Sequence, residues 1–83
     1  MLTLTPWTPT PGGDLCYWRL PDGRDIVAAR VYRNGPKRWN AYLRDQEGRE
    51  LPGMVIEGKG RREALAVVRA ELVRKLNDLG EPT

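Results

Sequence analysis

The stretch 37–68, KRWNAYLRDQEGRELPGMVIEGKGRREALAVV, decides the fold because its hydrophobic spacing changes along its length. Around Trp39 apolar and polar residues alternate, which is typical of a half-buried β-strand, and a second short apolar run follows a polar break. From Arg61 onward the apolar residues recur at the spacing of an amphipathic helix. The stretch therefore predicts two strands joined by a turn and followed by a helix.

Turn residues divide the sequence before this stretch in the same way. The three turns are PDG at 21–23, NGP at 34–36 and QEG at 46–48. The runs between them have a hydrophobic period of two, and their short connections predict an antiparallel meander. The four expected strands cover roughly residues 15–20, 25–33, 38–45 and 51–57. Pro52 and Gly53 indicate a bulge or an edge position near the start of the last strand.

The predicted helix has one apolar stripe, which is expected to cover the sheet. The stripe consists of Leu65, Val68, Leu72, Leu76 and Leu79. Gly80 signals the end of the helix, whereas its start has no Ser, Thr, Asp or Asn cap and must use Gly58 or Gly60. On the solvent side we expect Glu71 to pair with Lys75.

These elements predict an α+β fold, with a four-stranded antiparallel meander packed on one C-terminal helix in the order ββββα. We expect a single domain over 14–80, since the 83 residues suffice for one thin core. Residues 1–13 contain four Thr and three Pro, which predict an extended arm or at best an edge strand, and 81–83 form a tail. Trp7 within the arm is expected to be buried.

Missing residue types exclude several kinds of active site. The chain has no His and no Ser, which excludes Ser-His triads, Cys-His dyads and zinc sites that use His. Most carboxylates fall in predicted turns or beside Arg and Lys on the helix, where solvated charges normally lie. We therefore expect no enzymatic activity, no cofactor and no metal. Cys16, the single cysteine, is expected to be a small core residue.

The sequence shows no pattern of a targeting or membrane segment. Residues 1–13 have no basic opening and no apolar core of signal-peptide length. No apolar run is long enough to span a bilayer. A cytoplasmic location without membrane contact is the resulting expectation.

Alternation assigns the strand residues to two faces of the predicted sheet. The core face collects Cys16, Trp18, Leu20, Val27, Ala29, Val31, Trp39, Ala41, Leu43, Met54 and Ile56. The opposite face collects Tyr17, Arg19, Ala28, Arg30, Tyr32, Arg38, Asn40, Tyr42 and Arg44. Residues 19–49 hold eight basic and four acidic side chains, so the sheet region carries the excess of positive charge, which is +3 for the whole chain.

A sheet face rich in Arg and Tyr suits nucleic acid, because guanidinium groups bind phosphates or guanine edges and tyrosine rings stack on bases. The candidate binding residues are Arg19, Arg30, Tyr32, Arg38, Asn40, Tyr42 and Arg44. A host protein is the main alternative partner, for which the chain would act as an inhibitor or adaptor anchored by aromatic side chains. The same residues also suit a solvated sheet without a partner. A free edge strand makes a homodimer plausible.

The segment RWNAYLRD at 38–45, followed by a strand and by RREALAVVRAEL at 61–72, resembles a known DNA-binding domain. This is the domain of three strands and one helix found in plant ethylene-response factors and at the N-termini of phage and transposon integrases. Its motif is a Trp-x-Ala-x-Ile-Arg-Asp strand before a Glu-Ala-Ala helix. The usual Gly-Thr-Phe-x-Thr segment before the helix is replaced here by GKG. The resemblance implies contacts to the major groove of DNA by Arg38, Asn40, Tyr42 and Arg44.

The segment 39–65 is also similar to the HicB-type antitoxin fold, with a Tyr-x-Ala strand, a Leu-Pro-Gly element and a Gly-x-x-x-Glu-Ala helix start. The matching residues are Leu51, Pro52, Gly53, Gly58, Glu63 and Ala64. That family implies binding to a small toxin protein. The small size, the preference for Arg over Lys and the Thr/Pro arm further resemble accessory proteins of phages or mobile elements, which often bind and block a host protein.

Overall fold

The computed structural model describes residues 2–80, and the predicted tail 81–83 lies outside the described residues. The elements are β1 (Thr3–Leu4), β2 (Thr8–Thr10), β3 (Gly13–Arg19), β4 (Asp25–Arg33), β5 (Arg38–Arg44), β6 (Glu50–Glu57) and α1 (Arg61–Gly80). The six described strands form one antiparallel sheet, and α1 packs on one face of it, chiefly over β4 and β5. The α+β class and the C-terminal helix are therefore confirmed.

The predicted count of four strands is too low, because the Thr/Pro arm also joins the sheet. β1 and β2 both pair with β3, on the edge that β4 does not occupy. Between them, the Thr5 N–H donates to the Tyr17 carbonyl oxygen at 2.9 Å, and the Tyr17 N–H donates to the Thr5 hydroxyl at 2.9 Å. Pro6 and Pro9 have no N–H to pair, which suits them to an edge. The strand order is β1 and β2, then β3, β4, β5 and β6.

The helix α1 also binds the arm, through hydrogen bonds from one arginine side chain. Arg69 of α1 donates from Nη1 to the carbonyl oxygen of Thr5 at 2.9 Å and from Nη2 to that of Leu4 at 3.4 Å. Trp7 is half-buried and packs against the core, in line with its predicted burial. The arm is thus an edge of the sheet that is fixed by contacts to α1.

A bulge in β4 changes which side chains face the core. Ala28 has no partner on β3 and is the extra residue, and both Ala28 and Ala29 are fully buried. Beyond the bulge the alternation is shifted by one residue, so Ile26 rather than Val27 packs against the core. The predicted faces of Val27 and Ala28 were therefore wrong. Leu20, also predicted in the core, lies just after β3 and is half-buried.

The bulge expected at Pro52 and Gly53 is present. The register between β5 and β6 shifts by one residue there, so that both residues lie opposite Tyr42. β6 pairs with β5 and forms an edge of the described sheet. The two features suggested by Pro52 and Gly53, a bulge and an edge position, are both confirmed.

The core lies between the sheet and α1. Its largest fully buried side chains are Trp18, Leu72, Val31, Val68 and Cys16. Val68 and Leu72 of the predicted helical stripe are buried in the core, as predicted, and Leu65 and Leu76 are partly buried and pack against it. The side chain of Leu79 lies outside the described residues. Cys16 is a core residue, as predicted.

Both core tryptophans have a partner for the indole N–H. Trp18 Nε1 donates to the carbonyl oxygen of Arg44 at 2.7 Å, and Trp39 Nε1 donates to that of Lys59 at 3.0 Å. An indole N–H buried without such a partner costs about 1–3 kcal/mol. Trp18 therefore fixes the end of β5, and Trp39 fixes the connection between β6 and α1.

Gly60 caps α1, as one of the two predicted alternatives. Its carbonyl oxygen accepts a helical N–H at 3.0 Å, and its own N–H donates to Glu63 Oε1 at 3.4 Å. Glu63 thus takes the place of the acidic residue in a capping box, near the positive end of the helix dipole. On the solvent side Glu71 pairs with Arg74 and not with Lys75 as predicted.

Truncation of the most buried helical side chain tests the packing of α1. Leu72→Ala should lower the free energy of unfolding by about 2–5 kcal/mol, because Leu72 is fully buried and leaves a cavity. Urea denaturation followed by tryptophan fluorescence measures the change. Val73→Ala, at an exposed position on the same helix, is the matched control and should cost less than about 1 kcal/mol. An equal cost for both variants would contradict the burial of Leu72 between α1 and the sheet.

The buried thiol gives a prediction for alkaline pH. Burial raises the pKa of the Cys16 thiol to about 11, although the nearby Arg69 charge and a backbone hydrogen bond from Ala29 lower it. In the unfolded chain a cysteine thiol has a pKa of about 8.5. The unfolded state therefore loses this proton first, and native stability falls as pH rises from about 8.5 to 11. Cys16→Ala removes this contribution, so its unfolding free energy in urea should fall less with pH than that of the wild type. Parallel pH profiles would contradict the raised pKa.

Candidate functional site

The outer face of the sheet, defined as the face opposite α1, carries all seven residues predicted to bind a partner. The structure divides them into three groups along the strands. Four meet at the centre, and the other three lie towards the two ends of the sheet. Arg38 is at the end where α1 begins, and Arg19 and Arg44 are at the opposite end.

The central group is the tyrosine cluster, which consists of Arg30, Tyr32, Asn40 and Tyr42. The rings of Tyr32 and Tyr42 are stacked with centroids 5.8 Å apart, and their hydroxyl oxygens are 3.3 Å apart. Asn40 Nδ2 donates to the Tyr32 hydroxyl at 3.2 Å. The Arg30 guanidinium lies 5.3 Å from the centre of the Tyr32 ring, and its Nε donates to the Gly12 carbonyl oxygen at 2.9 Å. Tyr42 remains 57% exposed.

The two tyrosine hydroxyls differ in acidity. The hydrogen bond from Asn40, the contact with Tyr42 and the charge of Arg30 lower the pKa of Tyr32. The hydrogen bond with Tyr32 and the negative charge that Tyr32 acquires on ionisation raise the pKa of Tyr42. The exposed ring is therefore that of the tyrosine which keeps its proton to higher pH. At neutral pH Tyr42 presents an uncharged ring to solvent.

Carboxylates neutralise part of the predicted positive charge of the outer face. Arg19 forms a bidentate pair with Asp25 at 3.0 and 3.1 Å, and this pair lowers the pKa of Asp25. Arg38 Nη1 lies 3.5 Å from Glu57 Oε1. Arg44 is exposed and lies opposite an acidic residue of β6. The outer face thus carries less free positive charge than its sequence suggests.

Positive charge is concentrated instead at one end of the molecule, called here the basic end. The β4–β5 turn meets the β6–α1 connection there, and the Gly58 N–H donates to the Lys37 carbonyl oxygen at 2.8 Å. Its seven basic residues are Arg33, Lys37, Arg38, Lys59, Arg61, Arg62 and Arg30, whose side chain extends from the tyrosine cluster to the Gly12 carbonyl oxygen. Its three acidic residues are Asp14, Glu57 and Glu63. The rest of the sequence holds seven basic and eight acidic residues, so the net charge of +3 originates at the basic end.

A groove of about 730 Å³ opens at the basic end, beside the corner between β2 and β3. Three arginines line it, together with Tyr32 and Trp39. These arginines are Arg30, Arg33 and Arg61. Gly13 at the corner has a φ of 120°, and a Cβ there would lie 2.3 Å from the Val31 carbonyl oxygen. The close approach of the corner to β4 therefore requires glycine.

An ion pair closes one side of the groove. Asp14 is 4% exposed, and its two carboxylate oxygens accept hydrogen bonds from Arg61 at 2.9 and 2.5 Å. These hydrogen bonds and the charge of Asp14 raise the pKa of Arg61. A basic residue in the first turn of a helix opposes the helix dipole, and the carboxylate offsets this. The Arg61 side chain remains 54% exposed at the groove.

Asp14 and Arg33 were not among the candidate site residues predicted from the sequence. Arg61 opens the predicted helix, where a basic residue could bind phosphate or simply form a solvated, charged helix end. Asp14 carried a usable signal, because the alternation of Cys16 and Trp18 on the core face extends back to it. The predicted strand began one residue too late to show this. Nothing in the spacing of Arg33 and Arg61 indicated a shared groove, since they are brought together by the packing of α1 on the sheet.

Tyr42 and Val55 form an apolar patch where the tyrosine cluster meets the edge strand β6. Val55 is 59% exposed and pairs with Asn40 across the strands, which places it diagonal to Tyr42. Exposed apolar side chains in a group of this kind are common at binding surfaces. Pro52 and Gly53 are the β6 residues opposite Tyr42.

Removal of Arg61 should destabilise the fold more than neutralisation of Asp14. Arg61→Met leaves a buried carboxylate unpaired, at a cost of about 1–3 kcal/mol. Asp14→Asn leaves a half-exposed guanidinium that water can solvate, and its cost should be smaller. Urea denaturation of both variants and of the double variant measures the difference. The double variant should be more stable than Arg61→Met alone, and the reverse order would contradict the burial of Asp14.

Two structural features bear on metals and membranes. Within residues 2–77 no group of three His, Cys, Asp or Glu side chains is placed to hold a metal ion. No helix in the described part of the chain has the length and hydropathy needed to cross a membrane.

In comparisons with protein-family models, with curated proteins and with solved structures, the chain matches none. The resemblances to the ethylene-response-factor or integrase type of domain and to HicB-type antitoxins therefore rest on the motifs in residues 38–72. Function is accordingly inferred from the tyrosine cluster, the groove and the basic end.

Proposed function

We propose that this chain is a non-enzymatic nucleic-acid-binding protein whose site joins the tyrosine cluster to the groove and the basic end. The observation that carries the proposal is the separation of charge. The basic end has seven basic and three acidic residues, whereas the rest of the sequence has seven and eight. Such a one-sided distribution attracts a polyanion to one part of the surface.

The basic end supplies groups for phosphates. Arg33 at the end of β4 and Lys37 in the β4–β5 turn are exposed, and Arg33 also lines the groove. Arginine binds phosphate through a planar fork of donors, and lysine does so as a compact charge. Cations of this kind release counterions from nucleic acid and give affinity that depends on salt.

The tyrosine cluster supplies a surface for bases. Arg30 and Tyr32 belong both to the cluster and to the lining of the groove, so the aromatic and basic parts of the site are continuous. Tyrosine rings stack on bases with little dependence on sequence. The proposed site keeps Arg30, Tyr32, Arg38, Asn40 and Tyr42 from the predicted set. It adds Arg33, Lys37 and Arg61, and it leaves out Arg19 and Arg44 at the opposite end.

Salt dependence tests the proposal. Fluorescence anisotropy of labelled single-stranded and double-stranded DNA and RNA should show binding at about 50 mM salt. A site that makes four phosphate contacts should lose about 50- to 150-fold in affinity between about 50 and 200 mM. Absence of binding to all four nucleic acids at the lower salt concentration would contradict the proposal.

Matched double variants locate the site. Arg33→Gln with Lys37→Gln removes two charges from the basic end and should reduce the slope of log affinity against log salt by about 1.4 to 1.8. Arg24→Gln with Arg49→Gln removes two charges near the opposite end, where the arginines pair with Asp22 and Glu47. This control should retain affinity within about threefold, since it changes only long-range attraction. Equal losses in the two variants would contradict the location of the site.

A protein partner is the second candidate, and the apolar patch is the observation that favours it. Tyr42 and Val55 are each more than half exposed, although both are large apolar residues. In this case the chain would be an inhibitor or adaptor, as phage accessory proteins often are, and Tyr42 would anchor the interface. Binding of this kind should depend weakly on salt, which separates it from the first candidate.

A further inference from the structure

We infer that the bound nucleic acid is single-stranded, with an unpaired base stacked on Tyr42 and the adjoining phosphates at the groove and the basic end. This inference rests on the proposed function and specifies its substrate class. It differs from the expectation drawn from the resemblance to DNA-binding domains, which implies contacts in the major groove of a duplex. The distribution of charge on the sheet and the exposure of one ring lead to it.

The charge distribution of the sheet does not suit a duplex. A sheet that enters a major groove, about 12 Å wide, lies between two rows of phosphates and needs cations towards both. β5 has seven residues and is about 23 Å long, so its far end would face the second row. Among the described residues of the strands and their turns, five carboxylates lie at that end against four basic residues. The carboxylates are Asp22, Asp25, Asp45, Glu47 and Glu50, and the basic residues are Arg19, Arg24, Arg44 and Arg49.

Carboxylates offset the charge of two arginines of the outer face. Arg19 donates from Nε and Nη2 to the two carboxylate oxygens of Asp25, and Arg38 Nη1 lies 3.5 Å from Glu57 Oε1. Other N–H donors of each guanidinium stay free, but the neighbouring carboxylate reduces the net positive charge that a phosphate would meet. These two arginines therefore stabilise neighbouring strands and contribute little net charge to the outer face.

The exposed ring of Tyr42 suits an unpaired base. It is held in place before binding by the stacked ring of Tyr32, by the hydroxyl contact between them and by the hydrogen bond from Asn40 to Tyr32. A ring that is already ordered loses little conformational entropy when a base stacks on it. Val55 adds an apolar surface beside the ring. Bases within a duplex are stacked on one another and cannot use such a surface without unpairing.

The path of the strand follows from the contacts between the cluster and the groove. Tyr32 lies between Tyr42 and the groove, with Arg30 over its ring. A single-stranded nucleic acid with one base stacked on Tyr42 can therefore place its next phosphates near Arg30 and Arg33. Only one row of phosphates needs a basic surface in this arrangement, and the part of the chain that the structure describes has one basic end.

Three oligonucleotides with the same number of phosphates per strand test the inference without altering the protein. They are a single strand of about 12 nucleotides, its blunt duplex, and a strand of the same length made of abasic residues. Anisotropy titrations should show the single strand binding at least tenfold more tightly than the duplex. The abasic strand should bind about 5- to 150-fold more weakly than the normal strand, because it keeps the phosphates and loses stacking.

Two substitutions of Tyr42 locate the stacked base. Tyr42→Leu keeps an apolar side chain but removes the aromatic face, so it should weaken single-strand binding at least fivefold more than Tyr42→Phe does. Circular dichroism should show both variants folded, since the side chain is 57% exposed. Equal or tighter binding of the duplex, equal binding of the abasic strand, or equal affinity of the two variants would each overturn the inference. Absence of binding to all three oligonucleotides would overturn the proposed function itself.

Discussion

Two buried tryptophans connect the core to segments at the two ends of the sheet. The indole N–H of each donates a hydrogen bond to a backbone carbonyl oxygen in one of these segments. Trp18 fills the centre of the core and binds the carbonyl oxygen of Arg44, where β5 ends. Trp39 binds the carbonyl oxygen of Lys59, just before α1 begins. A buried indole N–H without an acceptor is unfavourable. The backbone segments that supply the two carbonyl acceptors must therefore keep the conformation that places these oxygens beside the rings. The position of the basic end thus depends on the core as well as on surface charge.

The two faces of the sheet have different roles, one in stability and one in the proposed binding. The core face is filled by the helix and the tryptophans, so it stabilises the fold. The outer face keeps an ordered pair of tyrosines and uses several of its arginines for ion pairs with neighbouring strands. Much of the free positive charge lies instead in the turns and at the first residues of α1. In the proposed function, bases and phosphates are therefore bound by different parts of the structure, and the two parts meet at Arg30 and Tyr32.

Period and turn residues were sufficient to predict β3 to β6, the helix and the bulge at Pro52 and Gly53, because each of these is encoded locally. The two strands of the arm were harder to predict, since Thr and Pro residues show no apolar alternation and their pairing with β3 is made by long-range contacts. The bulge at Ala28 could not be foreseen, because two small apolar residues fit either face of a strand. For the candidate site, alternation placed the tyrosine cluster correctly on one face. The partners of Arg19 and Arg38 depend on strand register, and the groove depends on how α1 docks, so neither follows from spacing alone.

The prolines of the two sheet edges have a consequence for behaviour at high concentration. One edge is built by the arm, in which Pro6 and Pro9 present no N–H, and it is interrupted between β1 and β2. The other edge is β6, which carries Pro52 and a bulge. An incoming strand from another molecule would find a broken ladder of donors and acceptors at either side. Open-ended growth of the sheet into aggregates is therefore disfavoured at both edges, although the outer face itself remains uncovered.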